Sequence, residues 1–388
     1  MTLAKQNPGL PQPPADALAV STRLHALIRA EIAAAGGWIS FARFMELALY
    51  APGLGYYSAG SRKLGPAGDF VTAPELSPLF GRSLARQLAE LVRQGLGDIL
   101  ELGAGSGALA ETVLAELAAL DCLPRRYAIL ELGADLRQRQ QQRLMKAAPQ
   151  IAERVTWLET LPPSFSGVVL GNEVLDAIPA HRIRKINGTV YELGIRISGN
   201  DLEWATQPAT GRLAATAAGL DLADDYETEL NPAATALIGD LAQRLTRGVL
   251  LLIDYGFPAH EYFHPQRNRG TLMCHYRHHA HADPFLWVGL QDITAHVDFS
   301  AIARSGVDAG LELLGYSSQA QFLINCGITG LLAEVPASDA ARYAPLAAQA
   351  QKLLSPAEMG ELFKVIALGR GVEPPLLGFR SGDKSRTL

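Results

Sequence analysis

The stretch DILELGAGSGALAETVLAEL, residues 98–117, constrains this chain more than any other. Residues 98–102 read as a buried strand, and a glycine-rich turn follows. Leu109, Val113, Leu114 and Leu117 then fall on one face of a helix. A strand that turns through glycines into a helix opens a βα unit, and such units assemble into parallel sheets. Five further apolar runs continue the pattern: RYAILEL (126–132), VTWLET (155–160), GVVLGNE (167–173), GVLLLIDYG (248–256) and LFKVIALGRG (362–371). The fold class is therefore α/β, with a mostly parallel, doubly wound, Rossmann-like sheet. Ligands of such sheets sit at the carboxyl ends of the strands.

The rest of the chain is organised around that sheet. Residues 1–16 hold four prolines and read as a disordered lead-in. Residues 17–93 read as an N-terminal helical and Gly/Pro-rich lid region. A helix over 17–35 is stopped by Gly36 and Gly37, and Ser40 caps a second helix. A long loop over 50–81 carries aromatic residues, which favours an ordered, packed segment, and a helix over 79–93 leads into the sheet. Residues 94–388 read as the Rossmann-like domain with two insertions. In the first, at about 181–230, apolar and polar residues alternate. Asn187-Gly188 and Gly199-Asn200 stand at the hairpin turns, which predicts an antiparallel meander. The second, at about 257–355, carries a His-rich loop and helical patches.

The net charge of −5 argues against a nucleic-acid-binding protein, which usually presents a basic face. No apolar run approaches the ~18 residues of a membrane helix. Cys122, Cys274 and Cys326 are odd in number and far apart, which suits a reducing compartment. Without a signal or transit pattern at residues 1–16, the expected location is the cytoplasm of a bacterium.

The turn GAGSGA, 103–108, fits the dinucleotide fingerprint with Ala108 last, a weak signal alone. It also continues as G-x-G-x-G through Gly103, Gly105 and Gly107. Glu101, just before the turn, faces a positively charged group better than a pyrophosphate. Glu131 ends the second strand and can accept from ribose hydroxyls under either reading. The combination looks like the S-adenosylmethionine site of Rossmann-like methyltransferases, whose ligand carries an ammonium and a sulfonium. The alternatives are a nicotinamide cofactor, or a tight turn with no ligand.

The fourth strand ends in Asn172 and Glu173, with Asp176 three residues on. An acceptor-rich pocket of this kind suits a cationic nucleophile. A guanidinium brought beside a sulfonium meets a repulsion of about 4 kcal/mol at ~4 Å and an effective dielectric of ~20. Carboxylates offset that repulsion and orient the fork of donors. The alternative is an asparagine cap with acids in the first turn of a helix. Farther along, His275, His278, His279 and His281 form a cluster without defined metal-ligand spacing, so no metal is expected. Asp292, His296 and Asp298 are candidates for a peptide groove, although Asp292 equally suits a cap. Asp254 and Tyr255, ending the fifth strand, are substrate-side candidates or a turn cap.

Six motifs occur in order: GDFVTAPELSPLFG, ELGAGSG, GNEVLDAIPAHR, IDYGFP, QDITAHVDF and ELFKVIAL. Together they resemble the MidA family, which includes mitochondrial methyltransferases that assist assembly of respiratory complex I. The resemblance runs over about 32–370. It implies an S-adenosylmethionine-dependent protein-arginine methyltransferase that forms symmetric dimethylarginine, with a complex I subunit as the partner in mitochondria. Carried over, Glu101, Gly103, Gly105 and Gly107 hold the cofactor, Glu131 takes its ribose, and Asp69 and Phe70 close over it. Asn172, Glu173 and Asp176 line the transfer site. Where the family has a serine shortly after the second-strand acid, this chain has Gly133. Two other readings remain open: a small-molecule or O-methyltransferase, and a non-catalytic assembly factor that retains a cofactor site.

Overall fold

The computed structural model describes residues 9–59 and 71–388, and the chain divides into two units. The sheet unit comprises residues 71–175, 235–259 and 297–388. Its strands are β1 (Asp98–Leu102), β2 (Arg126–Leu130), β3 (Val155–Leu158), β4 (Phe165–Asn172), β5 (Leu245–Phe257), β6 (Glu312–Ser318) and β7 (Phe363–Arg370). Across the sheet they run β3-β2-β1-β4-β5-β7-β6. β7 is antiparallel to both neighbours, and the pairings from β3 to β5 are parallel. A two-residue strand, Val297–Asp298, extends the end of β5.

The strands read as continuous apolar runs because both faces are covered. Every residue of β1 is buried, as are all but the last of β7. Ile99, Val168, Leu170, Val249, Leu251 and Val365 join one core with Leu84 and Leu88 of helix Pro78–Arg93 and with Val113, Leu114 and Leu117 of helix Ala108–Ala119. Truncating one such leucine to alanine typically costs about 2–5 kcal/mol. The chain leaves β1 toward β2 and β3, then returns to place β4 on the opposite side of β1. In open α/β sheets ligands bind at such a reversal, here at the carboxyl ends of β1 and β4.

The other unit takes residues 176–234 and 260–296 with the N-terminal segment. Helices Ala15–Ala34 and Phe41–Tyr50 pack Leu24, Ile28, Phe41 and Phe44 against Ile195 and Leu202 of an antiparallel sheet. Ser40 caps the second helix, accepting from the Arg43 N–H at 3.1 Å. Strands His181–Ile186, Thr189–Ser198 and Asp201–Pro208 form the meander, turning at 187–188 and 199–200. Ile39–Ser40 and Glu227–Leu230 extend that sheet. A three-stranded sheet of Met273–Tyr276, His279–His281 and Asp292–Thr294 carries the His-rich segment.

These units divide the chain differently from the sequence-based boundaries. Residues 71–93 belong to the sheet unit, so the region 17–93 is not one body. The second excursion ends at 296 rather than about 355, because β6 and helix Phe299–Asp308 lie in the sheet unit. Helix Ala15–Ala34 begins inside the lead-in drawn at 1–16.

Candidate cofactor and transfer site

Three glycines shape the turn after β1. Gly103, Gly105 and Gly107 have φ of 60°, 54° and 82°, the left-handed region that side chains disfavour. At Gly107 a Cβ would stand 3.4 Å from Cα of Gln140, so the turn lies directly on helix Ala134–Ala147. The main-chain N–H of Gly103 donates to Leu130 O at 3.1 Å, which ties the turn to the end of β2.

Two acids flank the turn. Glu101 is 2% exposed and accepts from the Tyr127 hydroxyl at 2.8 Å. Burial pushes its carboxyl up to about 7, against the lowering effect of Tyr127. Glu131 is also buried and raised by desolvation. Its Oε1 accepts from the Gly133 N–H at 2.9 Å and its Oε2 from Gln140 at 3.0 Å. With Leu132 N–H as a third donor, the four lone pairs of the carboxylate still leave capacity for a further one.

Polar residues from three other segments brace this turn. Glu75, in the short helix Ala73–Leu76, accepts from the Ser106 hydroxyl in the turn. Arg143 donates to Glu75 at 3.1 Å and to Ser106 at 3.0 Å, and pairs with Glu111. Trp157 on β3 donates to Gln140 Oε1 at 2.9 Å. Glu75 lies in the GDFVTAPE motif and Gln140 in a helix notable only for its glutamines and arginines. Neither was singled out from sequence, nor were Tyr127, Arg143 and Trp157.

The segment after β4 takes an unexpected form. No helix starts there, so the cap arrangement considered for Asn172 and its acids is absent. Glu173 instead adopts φ 53°, a left-handed conformation rare for a residue with a side chain. Its N–H donates to Ile253 O at 2.9 Å, and its carboxylate accepts from Asn172 Nδ2 at 3.1 Å. The buried Asn172 Oδ1 has no hydrogen-bond partner among the described residues. Val174 lies against the glycine turn, with its Cγ2 3.6 Å from where a Cβ on Gly103 would stand.

Asp254, at the end of β5, is 1% exposed and shapes this loop. Its Oδ2 accepts from the N–H groups of Val174 (3.1 Å) and Leu175 (2.8 Å), and its Oδ1 from Tyr255 N–H (2.9 Å). Asp254 thus holds the segment after β4. Tyr255 packs edge-on to Phe363. Asp298 caps helix Phe299–Asp308 through the N–H groups of Ser300 and Ala301. Burial raises its carboxyl, and the same two bonds oppose the rise.

Asp176, Asp292 and His296 belong to the other unit. There Tyr57 donates to both oxygens of Asp292, at 3.0 and 3.1 Å, and stacks on Tyr50. Burial pushes the Tyr57 hydroxyl well up, and the Asp292 and Asp176 charges add to it. The main-chain oxygen of Asp176 accepts from Ala295 N–H at 3.1 Å, and His296 N–H donates to Thr271 at 3.0 Å. Asp69 and Phe70 lie outside the described residues. Among the described residues, no group of three or more His, Cys, Asp or Glu is arranged to hold a metal, and no helix is long and apolar enough to cross a membrane.

The family described as "Putative S-adenosyl-L-methionine-dependent methyltransferase" matches residues 79–317. The chain belongs to this family. It is an S-adenosylmethionine-dependent methyltransferase of the MidA type, as the motifs implied. A crystal structure of a Burkholderia thailandensis protein bound to S-adenosyl-homocysteine is 53% identical. It matches with a TM-score of 0.95, over 98% of this chain and all of that one. A native crystal structure from the same organism is 52% identical, with a TM-score of 0.93. The bovine mitochondrial protein arginine methyltransferase NDUFAF7 is 30% identical, over 86% of this chain and 80% of its own length. The Caenorhabditis elegans homologue is 27% identical, over 75% and 74%. The left-handed glycines and the two buried acids fit a cofactor that carries an ammonium and a ribose.

Proposed function

We propose that this methyltransferase modifies arginine side chains of a protein substrate, forming symmetric dimethylarginine, and that a respiratory complex I subunit is its partner. Glu101 and the turn of Gly103, Gly105 and Gly107 hold the cofactor, and Glu131 receives its ribose. When bound, S-adenosylmethionine supplies an electrophilic methyl on a sulfonium.

The observation that carries this reading is the left-handed Glu173. Its backbone is fixed by Ile253 and its carboxylate by Asn172, at the carboxyl end of β4. A carboxylate fixed in this way orients a guanidinium through paired, charge-assisted hydrogen bonds. It also offsets the repulsion between two cations, about 4 kcal/mol at ~4 Å and an effective dielectric of ~20. A free guanidinium keeps its proton up to a pKa of ~13.8, so Glu173 polarises the nitrogen and draws off the proton it sheds. Asn172 is proposed to line the transfer site beside Glu173, with Tyr255 on the substrate side. The mitochondrial relatives that bear the name protein arginine methyltransferase support the same acceptor.

The test is transfer of labelled methyl into proteins of the host extract, followed by acid hydrolysis. Labelled methylarginine is expected. It should vanish with Glu173→Gln while S-adenosylhomocysteine binding persists. Label confined to small molecules, or an active Glu173→Gln enzyme, would overturn the proposal.

A further inference from the structure

We propose that Gln140 is a positioning residue for the cofactor's ribose, acting through Glu131. The proposal rests on the reading that Glu131 receives the ribose hydroxyls. Gln140 is fully buried in the middle of helix Ala134–Ala147. Its Nε2 donates to Gly105 O at 2.9 Å and to Glu131 Oε2 at 3.0 Å, and its Oε1 accepts from Trp157 Nε1 at 2.9 Å. One amide therefore joins the glycine turn, the acid at the end of β2, and β3.

Trp157 decides which way that amide points. An indole N–H only donates, so it must face the amide oxygen. The NH2 group is then directed at two acceptors, the Gly105 carbonyl and the Glu131 carboxylate. The reversed amide would set an oxygen against both and leave the indole hydrogen unmatched. Glu131 is thereby held from two sides, with Oε1 on Gly133 and Oε2 on Gln140. A carboxylate fixed before the ligand arrives loses little freedom when it accepts ribose hydroxyls, which is where preorganisation contributes to affinity. The glutamine serves this purpose better than a charged donor would, because it leaves the carboxylate's charge intact.

A residue that only braced the fold would alter stability without changing what the ribose hydroxyls contribute. The experiment measures that contribution by calorimetry, with S-adenosylhomocysteine and its 2′,3′-dideoxy analogue as probes, on the full-length wild type, Gln140→Met, Gln140→Glu and Glu131→Gln. Wild type should prefer the natural ligand by about tenfold or more, the worth of hydrogen bonds to a charged acceptor. In Gln140→Met that preference should shrink to about twofold. Gln140→Glu sets a second carboxylate against Glu131. Its affinity relative to wild type should fall about tenfold near pH 8 and recover toward about pH 5, where the new acid protonates and can donate again. Thermal unfolding establishes that each variant is folded. A full hydroxyl preference in Gln140→Met, or a Gln140→Glu to wild-type ratio that stays flat with pH, would overturn the proposal. A wild-type hydroxyl preference in Glu131→Gln would instead overturn the reading of Glu131, so the two failures are distinguishable.

Discussion

Tyr127 donates its phenolic hydrogen to Glu101 at 2.8 Å, across the neighbouring strands β2 and β1, and both side chains are buried. Desolvation still outweighs that bond, and the Glu101 carboxyl stands at about 7 against an ordinary 4.5. A carboxyl raised by folding contributes stability that is complete below its unfolded value and lost as pH rises through its folded value. The ligand-free protein should therefore lose on the order of 3 kcal/mol from this group between about pH 4.5 and 7. Urea unfolding of wild type and Glu101→Gln across that range measures it. The difference between the two should move with pH, and a constant difference would show that Glu101 does not titrate there.

The same carboxyl makes cofactor binding proton-linked. An ammonium brought close to Glu101 favours its charged form, so binding S-adenosylhomocysteine near pH 7 should release a fraction of a proton. Calorimetry in buffers of different ionisation enthalpy reads the release directly. Wild type should show it and Glu101→Gln should not. Equal release from both proteins would place the ammonium elsewhere.

Gly107→Ala tests the turn. A left-handed alanine costs roughly 1–2 kcal/mol. The new methyl would also come into contact with Gln140, 3.4 Å from its Cα. A lower melting temperature and weaker S-adenosylhomocysteine binding should appear together. Lowered stability with unchanged affinity would mean that the turn does not cradle the ligand.

Glu75→Ala tests the brace between the GDFVTAPE motif and the turn. The variant removes the acceptor of Ser106 and one of the two carboxylates that bind Arg143, while Glu111 keeps its pair. Arg143 is partly exposed, so solvent discounts the loss to about 1 kcal/mol of stability. Cofactor affinity should fall more than stability does, by roughly tenfold, since Ser106 belongs to the turn. The dissociation constant and melting temperature, measured on the same samples, separate the two effects.

What the sequence revealed follows the range of the interactions involved. Six of the seven main strands of the sheet were legible as apolar runs between turn residues, and Asn187-Gly188 and Gly199-Asn200 announced the hairpins. β6 was not, because ELLGYSS is short and mixed, and lies among helical patterns. Glu101, the glycines and Glu131 stood out in the sequence because they lie at the end of a strand or within a few residues after it. Gln140, Trp157, Glu75 and Arg143 bond across 9 to 68 residues of chain, and no local period marks them. Asp254 was noticed but its work was not, since only the parallel pairing of β4 and β5 brings it to the loop after β4.

Asp254→Asn examines that work. The carboxylate accepts three main-chain N–H groups on its two oxygens, at 2.8 to 3.1 Å. An asparagine has one acceptor oxygen, so its NH2 must face at least one N–H donor whichever way it turns. A buried donor left unpaired costs about 1–3 kcal/mol, and urea unfolding should show a loss of that size. The same side chain sets Val174 and Leu175, directly after Glu173, so any shift of it should make methyl transfer fall further than stability predicts. S-adenosylhomocysteine binding should change less, because Glu101, Glu131 and Gln140 do not bond to Asp254. Transfer that keeps its wild-type rate in a destabilised protein would mean that the loop after β4 does not position the acceptor.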